Sequence, residues 1–552
     1  MTSEKIKIQN VIAFFSIIIG FFMVMLDSTI VNITLPVMIR FFKSDMETIS
    51  WVVNGYNLAF AVLLLTGSRL ADQFGRKKIF LIGIIFFTIT SLLAALSPTV
   101  EALIFFRVLQ GLSGALLVPV SMPLIIDLFP SSKSGLIIGV WGGVAGIAAA
   151  SGPALGGIIG EYLNWQWIFF INIPIGIVAI VLIPMLVKES FDPTASRKID
   201  WLGMILLTAS MFSITLGLIQ ANDKGWGSLY IITLFTISIL CFTAFYFTEK
   251  KTSDPMLPMT LFKNIYFCTT NISLMILGAA LMCGVFFTAF FLTQVKKFSQ
   301  LKAGLIITAY PLSTIFFSAL SGSFADRLGY RFFAFPGSIL ICISVYCMSS
   351  LNADSTITDI IIRLVFCGTA IGLTFPPIIT ASIRATPPEK IGMSSAVGNV
   401  SRTLGAILGV ALLVTAVTHF AQKKIVTAQL EASKIIMSSP VFVKEVKETL
   451  AGNLTKTKLS KDSPLPTEQE IRKQFELRQD DAVKKAPSMM KSAVKKVYEK
   501  QIVEMSRVYC LVKRTFLNQI ASAFSLTYKL SALVLFIGVV SAFFCEPFGK
   551  KR

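Results

Sequence analysis

Apolar residues along the chain fall in unbroken blocks of about twenty, divided by short polar connections. Blocks of that length suit helices crossing roughly 30 Å of hydrocarbon. Half-buried strands would alternate in polarity, and soluble helices would show a narrower apolar stripe. Fourteen blocks stand out, at about 12–39, 49–68, 79–97, 102–126, 135–160, 166–187, 201–220, 229–248, 267–295, 303–324, 332–350, 357–383, 395–419 and 523–545 (spans 1 to 14). A backbone in lipid must satisfy its own polar groups, so the pattern predicts an all-α polytopic membrane protein. Span 1 follows a short polar leader with no small-residue cleavage site, and reads as a retained helix rather than a signal peptide. The one long polar interruption joins spans 13 and 14. Within it, Met490, Val494, Val497, Tyr498, Ile502, Met505, Val508, Tyr509, Val512 and Phe516 form a helical stripe. That segment, 421–520, reads as two or three amphipathic helices outside the membrane. A small cap, or a surface-lying helix leading into span 14, is the preferred reading. Docking to an anionic lipid surface or an envelope partner protein is the sharper alternative.

Composition narrows the class further. Of 552 residues, 54% are hydrophobic and 14% charged, where soluble domains carry about a quarter. The net charge of +20 would suggest nucleic acid in a soluble protein. Here anionic headgroups and membrane orientation explain it, and no nucleic-acid role is expected. Seven of the eight cysteines lie in or beside apolar blocks, Cys510 being the exception. With no CxxC and a single His419, neither a metal site nor a disulfide framework is expected. GxxxxGK[ST], GxSxG and HExxH are all missing, which argues against ATP-driven transport and against an enzyme. With a cytoplasmic N-terminus, the inner segments hold 20 Lys and Arg and the short outer loops six. That bias puts both termini in the cytoplasm. The 420–520 segment has 20 basic against 11 acidic residues, but long loops largely escape the rule.

A repeat divides the chain. Gly67-Ser-Arg-Leu-Ala-Asp72-Gln-Phe-Gly75-Arg76-Lys77-Lys78 follows span 2, and Gly322-Ser-Phe-Ala-Asp326-Arg327-Leu-Gly329-Tyr-Arg331 follows span 10. Asp72 to Asp326 and Gly75 to Gly329 are both 254 residues, and Arg107 to Arg363 is 256. Spans 1–6 therefore match spans 9–14, with spans 7 and 8 inserted. The expected units are a six-helix bundle at 1–190, an inserted pair at 191–260, spans 9–13 at 261–420, the outer segment at 421–520, and the last span and tail at 521–552. Two parallel halves suit a carrier that rocks about a central site.

Asp27 is the sharpest single signal, the one carboxylate placed deep within a span. Intramembrane acids usually mark pathways or proton relays. Burial and a nearby cation pull its proton affinity in opposite directions, the sensitivity a proton-coupled carrier needs. The alternative is a packing carboxylate satisfied by Ser28, Thr29 or Asn32. Arg107, early in span 4, is the natural partner, with Gln110 one turn on. Asn32, Asn54 and Gln110 are candidate cavity residues. By the repeat offset, Asp27 corresponds to Met282, so proton coupling is expected in the N-terminal half. The C-terminal half would supply an apolar wall that includes Phe286, Phe290 and Tyr310, although lipid-facing or packing roles are the larger expectation for such aromatics. In span 5, Pro153 removes a helix donor, while Gly152, Gly156 and Gly157 admit a close neighbour. Asp72, Gly75, Arg76, Gly322, Asp326, Arg327, Gly329 and Arg331 are candidates for a cytoplasmic latch. Their Asp residues would sit at helix N-termini or pair with basic groups across the seam between halves.

These residues carry a family resemblance. Leu26-Asp27-Ser28-Thr29-Ile30-Val31-Asn32-Ile33-Thr34-Leu35-Pro36, the two Gly/Asp/basic loops, Arg107-Val-Leu-Gln110-Gly111-Leu-Ser-Gly114, Ser151-Gly152-Pro153-Ala-Leu-Gly156-Gly157, Trp165-Gln-Trp167-Ile-Phe-Phe-Ile-Asn172-Ile-Pro174-Ile-Gly176 and Asp200-Trp201-Leu202-Gly203 occur in order. Together the chain resembles the major facilitator superfamily, in particular its fourteen-span drug:proton antiporters of the EmrB/QacA type. The first loop departs from that pattern: Ser68 stands where Gly is expected, and Gln73 replaces a basic residue. The resemblance implies the major facilitator fold in a bacterial cytoplasmic membrane, an Arg107 that couples protonation to substrate binding, and a span-5 motif tied to export. It also implies a small-molecule substrate, protons and membrane lipid as the partners, and a proton gradient in place of any cofactor. The expected function is proton-coupled efflux of lipophilic or cationic compounds. An uptake symporter, or export of an endogenous metabolite or lipid, is the alternative on the same fold.

Overall fold

Every one of the fourteen apolar blocks is helical in the computed structural model, which describes residues 8–44, 46–130, 134–191, 200–252, 255, 257, 259–387, 390–456, 467–485, 487 and 490–547. Thirteen helices among them are long and apolar enough to cross a membrane. The remaining block, span 5, is the helix Ser134–Tyr162, whose strongly apolar run Ile137–Ala148 is shorter.

Local chemistry sets the helix starts. Thr99 accepts from the Ala102 amide at the head of span 4 (Val100–Ile126), and Thr356 accepts from Asp359 at the head of span 12 (Ile357–Arg384). Asp200 and Ser228 cap spans 7 and 8 (Trp201–Lys224 and Leu229–Lys251) in the same way. Each cap satisfies one amide that the first helical turn leaves unpaired.

The duplication is written in the backbone. Span 2 (Met46–Phe74) and span 10 (Gln300–Ile307 and Ala309–Leu328) end at Gly75 and Gly329, with φ of 112° and 101°. A side chain would strain either position. Among the described residues two non-glycines have positive φ, Lys43 at 51° and Lys297 at 54°, and they are again 254 residues apart. Gly111 of span 4 lies against the backbone of Tyr56 in span 2, and Gly368 of span 12 against that of Tyr310 in span 10. A Cβ at either glycine would collide with the tyrosine carbonyl. Close backbone approach is what small residues give a membrane helix pair.

Packing follows the repeat. Span 4 packs on spans 2 and 3, and span 12 on spans 10 and 11 (Tyr330–Met348). Span 1 (Ile8–Phe42) lies against span 5 and span 6 (Trp167–Phe170 and Asn172–Leu186). Span 5 also crosses to the other half and packs along span 10. The inserted spans 7 and 8 pack on each other, and span 7 on span 2.

The chain divides into two compact units. The first holds residues 1–348, 356–414 and 528–552; the second holds 349–355 and 415–527. The second unit contains two short helices, Lys444–Lys456 and Glu468–Lys485, together with parts of the helices Ile391–Ser438 and Lys491–Phe543. Its core gathers Ala428, Ile436, Phe442, Phe475, Val508 and Phe516. Met505 and Val512 of the sequence stripe join that core, while Met490 and Val497 at its start are exposed. The side chain of Val494 lies outside the described residues. This unit thus takes in more than 421–520: the loop 349–355 is part of it, tied by an Arg514–Asp354 ion pair at 3.0 Å.

Candidate functional site

Asp27 sits inside the N-terminal half with its side chain closed off from the surface. One carboxylate oxygen takes Arg107 Nη1 at 2.5 Å; the other accepts from Gln110 Nε2 at 3.2 Å and from Asn172 Nδ2 at 3.1 Å. Arg107 is equally enclosed. Its Nε donates to the Val52 carbonyl at 3.0 Å, its Nη1 also reaches Gln110 Oε1 at 2.8 Å, and its guanidinium lies 4.1 Å over the Tyr56 ring. Spans 1, 2, 4 and 6 each contribute, so a change of charge at Asp27 is felt by four helices at once. Ser28 and Thr29, the local alternatives, donate to the carbonyls of Met25 and Leu26 in their own helix. The satisfying partners come from spans 4 and 6.

Sequence reasoning missed Asn172 and Tyr56. Asn172, buried in the apolar span 6, bonds both Asp27 and the Ser91 hydroxyl at 3.1 Å. An amide at that depth was the available signal. The site abuts the span-5 motif. Gly152 faces Thr29 and Ile30, so a Cβ there would meet the Ile30 amide at 3.0 Å. Gly156 is buried, and Gly157 lies against Leu301 of span 10. The helix runs on through residue 153, but the side chains of Pro153 and Asn32 lie outside the described residues.

The aromatic candidates of the C-terminal half occupy different settings. Tyr310 is 2% exposed, with its ring against Gly284 and its backbone against Gly368. It is the repeat counterpart of Tyr56, a packing position between spans 10 and 12, not part of an open wall. Phe286 is 40% exposed, within the π-helical turn Cys283–Phe287 that interrupts span 9. Phe290 is partly buried nearby, and Asn54 is partly buried two residues from Val52. None of these four belongs to the Asp27 cluster.

The acids of the two loops have basic partners within their own halves. Asp72 binds Arg76 of its own loop at 2.9 Å, and Arg76 reaches Asp127 at 3.5 Å. Asp326 pairs with Arg384 at 3.0 Å and accepts from the Tyr330 hydroxyl at 2.7 Å, within its own half. Arg327 is exposed, and Gly322 lies near Gly139 of span 5. The first loop also reaches the other half: Ser68 Oγ donates to the Gly392 carbonyl at 3.0 Å, and the Asp72 carboxylate lies against Gly392, one residue into the helix that begins at Ile391. A carboxylate beside a helix N-terminus is stabilised there. Two acids not singled out from sequence complete the loops. Glu189 accepts from the amides of Lys77 and Lys78, at 2.9 and 3.2 Å. Glu546 accepts from those of Tyr330 and Arg331, both at 3.2 Å, while Arg331 Nε donates to the Phe543 carbonyl at 2.7 Å. Spans 3 and 11 are thus capped alike by carboxylates from the ends of spans 6 and 14.

A buried acid-to-arginine pair inside the first bundle of a duplicated chain of many membrane-length helices fits a secondary carrier. The chain belongs to the Major Facilitator Superfamily, whose family model matches residues 17–410. It is 31% identical over 398 residues to the tetracenomycin C resistance and export protein of Streptomyces glaucescens, covering 72% of this chain and 74% of that one. It is 30% identical over 413 residues to multidrug resistance protein 3 of Bacillus subtilis (strain 168), covering 74% and 80%. The human organic anion transporter MFSD10 (TETRAN) shares its fold, with a TM-score of 0.53 and 14% identity over 73% of this chain and 93% of that structure.

Proposed function

We propose that this protein exports lipophilic or cationic compounds, such as drugs or toxic amphiphiles, across the bacterial cytoplasmic membrane in exchange for protons. The observation that carries the reading is the enclosed Asp27–Arg107 pair. A carboxylate so placed holds its charge only while its cation and amides stay in position. Protonation removes the charge that fixes Arg107. The guanidinium then keeps Val52, Gln110 and the Tyr56 face, and spans 1 and 4 lose their strongest mutual tie. Proton binding from outside thereby biases the carrier between its two openings, and proton release inside resets it. Gly152, two residues' reach from that pair on span 1, lets span 5 follow the movement. Ser68, Asp72 and Gly392 hold the cytoplasmic seam shut in the state seen. The outward direction draws support from the names of these relatives, a resistance and export protein and a multidrug resistance protein.

Full-length protein in liposomes with an imposed pH gradient gives the test, with ethidium as the probe. The wild type drives ethidium against its own gradient and stops when the pH difference is collapsed. Asp27→Asn loses gradient-driven movement. Equal gradient-driven transport by that variant sinks the reading, and movement with the proton rather than against it makes the protein a symporter.

A further inference from the structure

Arg402 is a charge with no acidic counterpart among the described residues. It stands seven residues into the apolar block 395–419, about 10 Å from that end at 1.5 Å per residue. Among the described residues no carboxylate pairs with it, and its one side-chain bond there is a long one, Nη2 to Asn399 Oδ1 at 3.4 Å. Arg107 at similar depth has its donors taken up by Asp27, Gln110 and Val52. Arg402 borders a cavity of about 20 Å³ on the seam between the halves, with Met122 and Trp141 from the N-terminal half and Phe375 from span 12. Two further lining hydroxyls, Ser382 and Ser395, are buried without a hydrogen-bond partner. Unsatisfied donors beside an unpaired cation disfavour an empty or apolar role, since each such group costs free energy until an acceptor arrives. Gly392, which accepts from Ser68, lies three residues before Ser395 on the same helix, so the shut seam closes just beyond the cavity.

We propose that Arg402, with Asn399, Ser382 and Ser395, is a substrate subsite that binds an anionic oxygen, a carboxylate or phenolate carried on an otherwise apolar molecule. This rests on the efflux reading and refines its substrate class: amphiphiles bearing an acidic group are taken, not only cations. At its present volume the cavity holds about one water. It admits the polar end of a substrate once the seam opens. Proton coupling and substrate charge are then handled by different halves, Asp27 in one and Arg402 in the other.

Two dyes that differ in one group provide the test: rhodamine 110, with a free carboxylate, and rhodamine 123, its methyl ester. Binding to full-length protein in detergent micelles is read by fluorescence anisotropy. The wild type binds the free acid at least about tenfold more tightly than the ester. Arg402→Gln abolishes that ratio and keeps the ester's affinity, and Arg402→Lys keeps part of the ratio. Wild-type binding of neither dye, equal wild-type affinities, or a parallel loss of both dyes in a normally melting Arg402→Gln overturns the proposal. Should the Gln variant fail to fold, Arg402→Lys and Ser395→Ala decide it, an unchanged ratio in both being the adverse result. The same dyes in proteoliposomes separate the two readings. A carboxylate preference without gradient-driven movement rejects efflux and keeps the subsite; movement of the ester without the preference does the reverse.

Discussion

The Ser68 hydroxyl donates to the Gly392 carbonyl, joining two helices 324 residues apart across the two halves of the carrier. Ser68 is also where the first loop departs from its family pattern. The substitution therefore adds a bond that glycine lacks. Ser68→Gly should weaken closure of the cytoplasmic seam about two- to tenfold, the worth of one net hydrogen bond. Spin labels at Phe74 and Lys390, in a background without the native cysteines, report the distance distribution. An unchanged distribution would show that the bond carries none of the closure.

Breaking the enclosed pair should cost more than deleting it. Arg107→Ala leaves Asp27 buried without its cation, a loss of about 3–5 kcal/mol. In the double variant Asp27→Asn, Arg107→Gln, both charges go and a good part of that loss returns. Thermal unfolding of the three proteins in one detergent measures the difference. A double variant less stable than Arg107→Ala would contradict the packing described.

Glu189 and Glu546 are predicted to act alike and independently. Each carboxylate caps a helix start from a distant part of the chain. Each change to Ala should cost about 0.5–2 kcal/mol. Because the two loops lie in different halves, the costs should add to within about 0.5 kcal/mol. Strong coupling in a double-mutant cycle would mean that the caps share a partner.

Gly152→Ala should disable transport with little room for compensation. The added carbon meets Thr29 and, at 3.0 Å, the backbone amide of Ile30, which has no free end to swing aside. Overpacking of this kind costs about 1–3 kcal/mol. Ethidium efflux by Gly152→Ala near the wild-type rate would show that spans 1 and 5 have slack at this point.

The helical unit 415–527 has its own core, so its stability should be separable from that of the spans. Phe475→Ala removes a buried ring and should cost about 3–5 kcal/mol locally. Limited proteolysis should then cut within 440–500 while the membrane helices stay intact. Protection equal to the wild type would mean the ring adds little.

How much could be read beforehand depended on rarity and reach. Asp27 and Arg107 were legible because charged groups deep in apolar blocks are few, and Gln110 because it lies one turn from Arg107. The duplication was legible because glycine and aspartate recur at one offset, and Lys43 with Lys297 shows that the backbone keeps it even without glycine. Asn172 was quoted within a motif, but its partner is 145 residues away and nothing local names it. Glu189 and Glu546 reach their helices across 111 and 215 residues or more. Arg402 was overlooked because a solitary cation has no partner in the sequence to draw attention to it. The place of Tyr310 was not legible, because an aromatic in a span reads the same whether it faces a void or a glycine.

The matched φ angles at Lys43 and Lys297, and at Gly75 and Gly329, mean that the chain turns alike between corresponding spans of the two bundles. Their reactive groups are not alike. Backbone symmetry thus coexists with chemical asymmetry: the second bundle keeps the turns of the first while carrying Met282 where the first has Asp27.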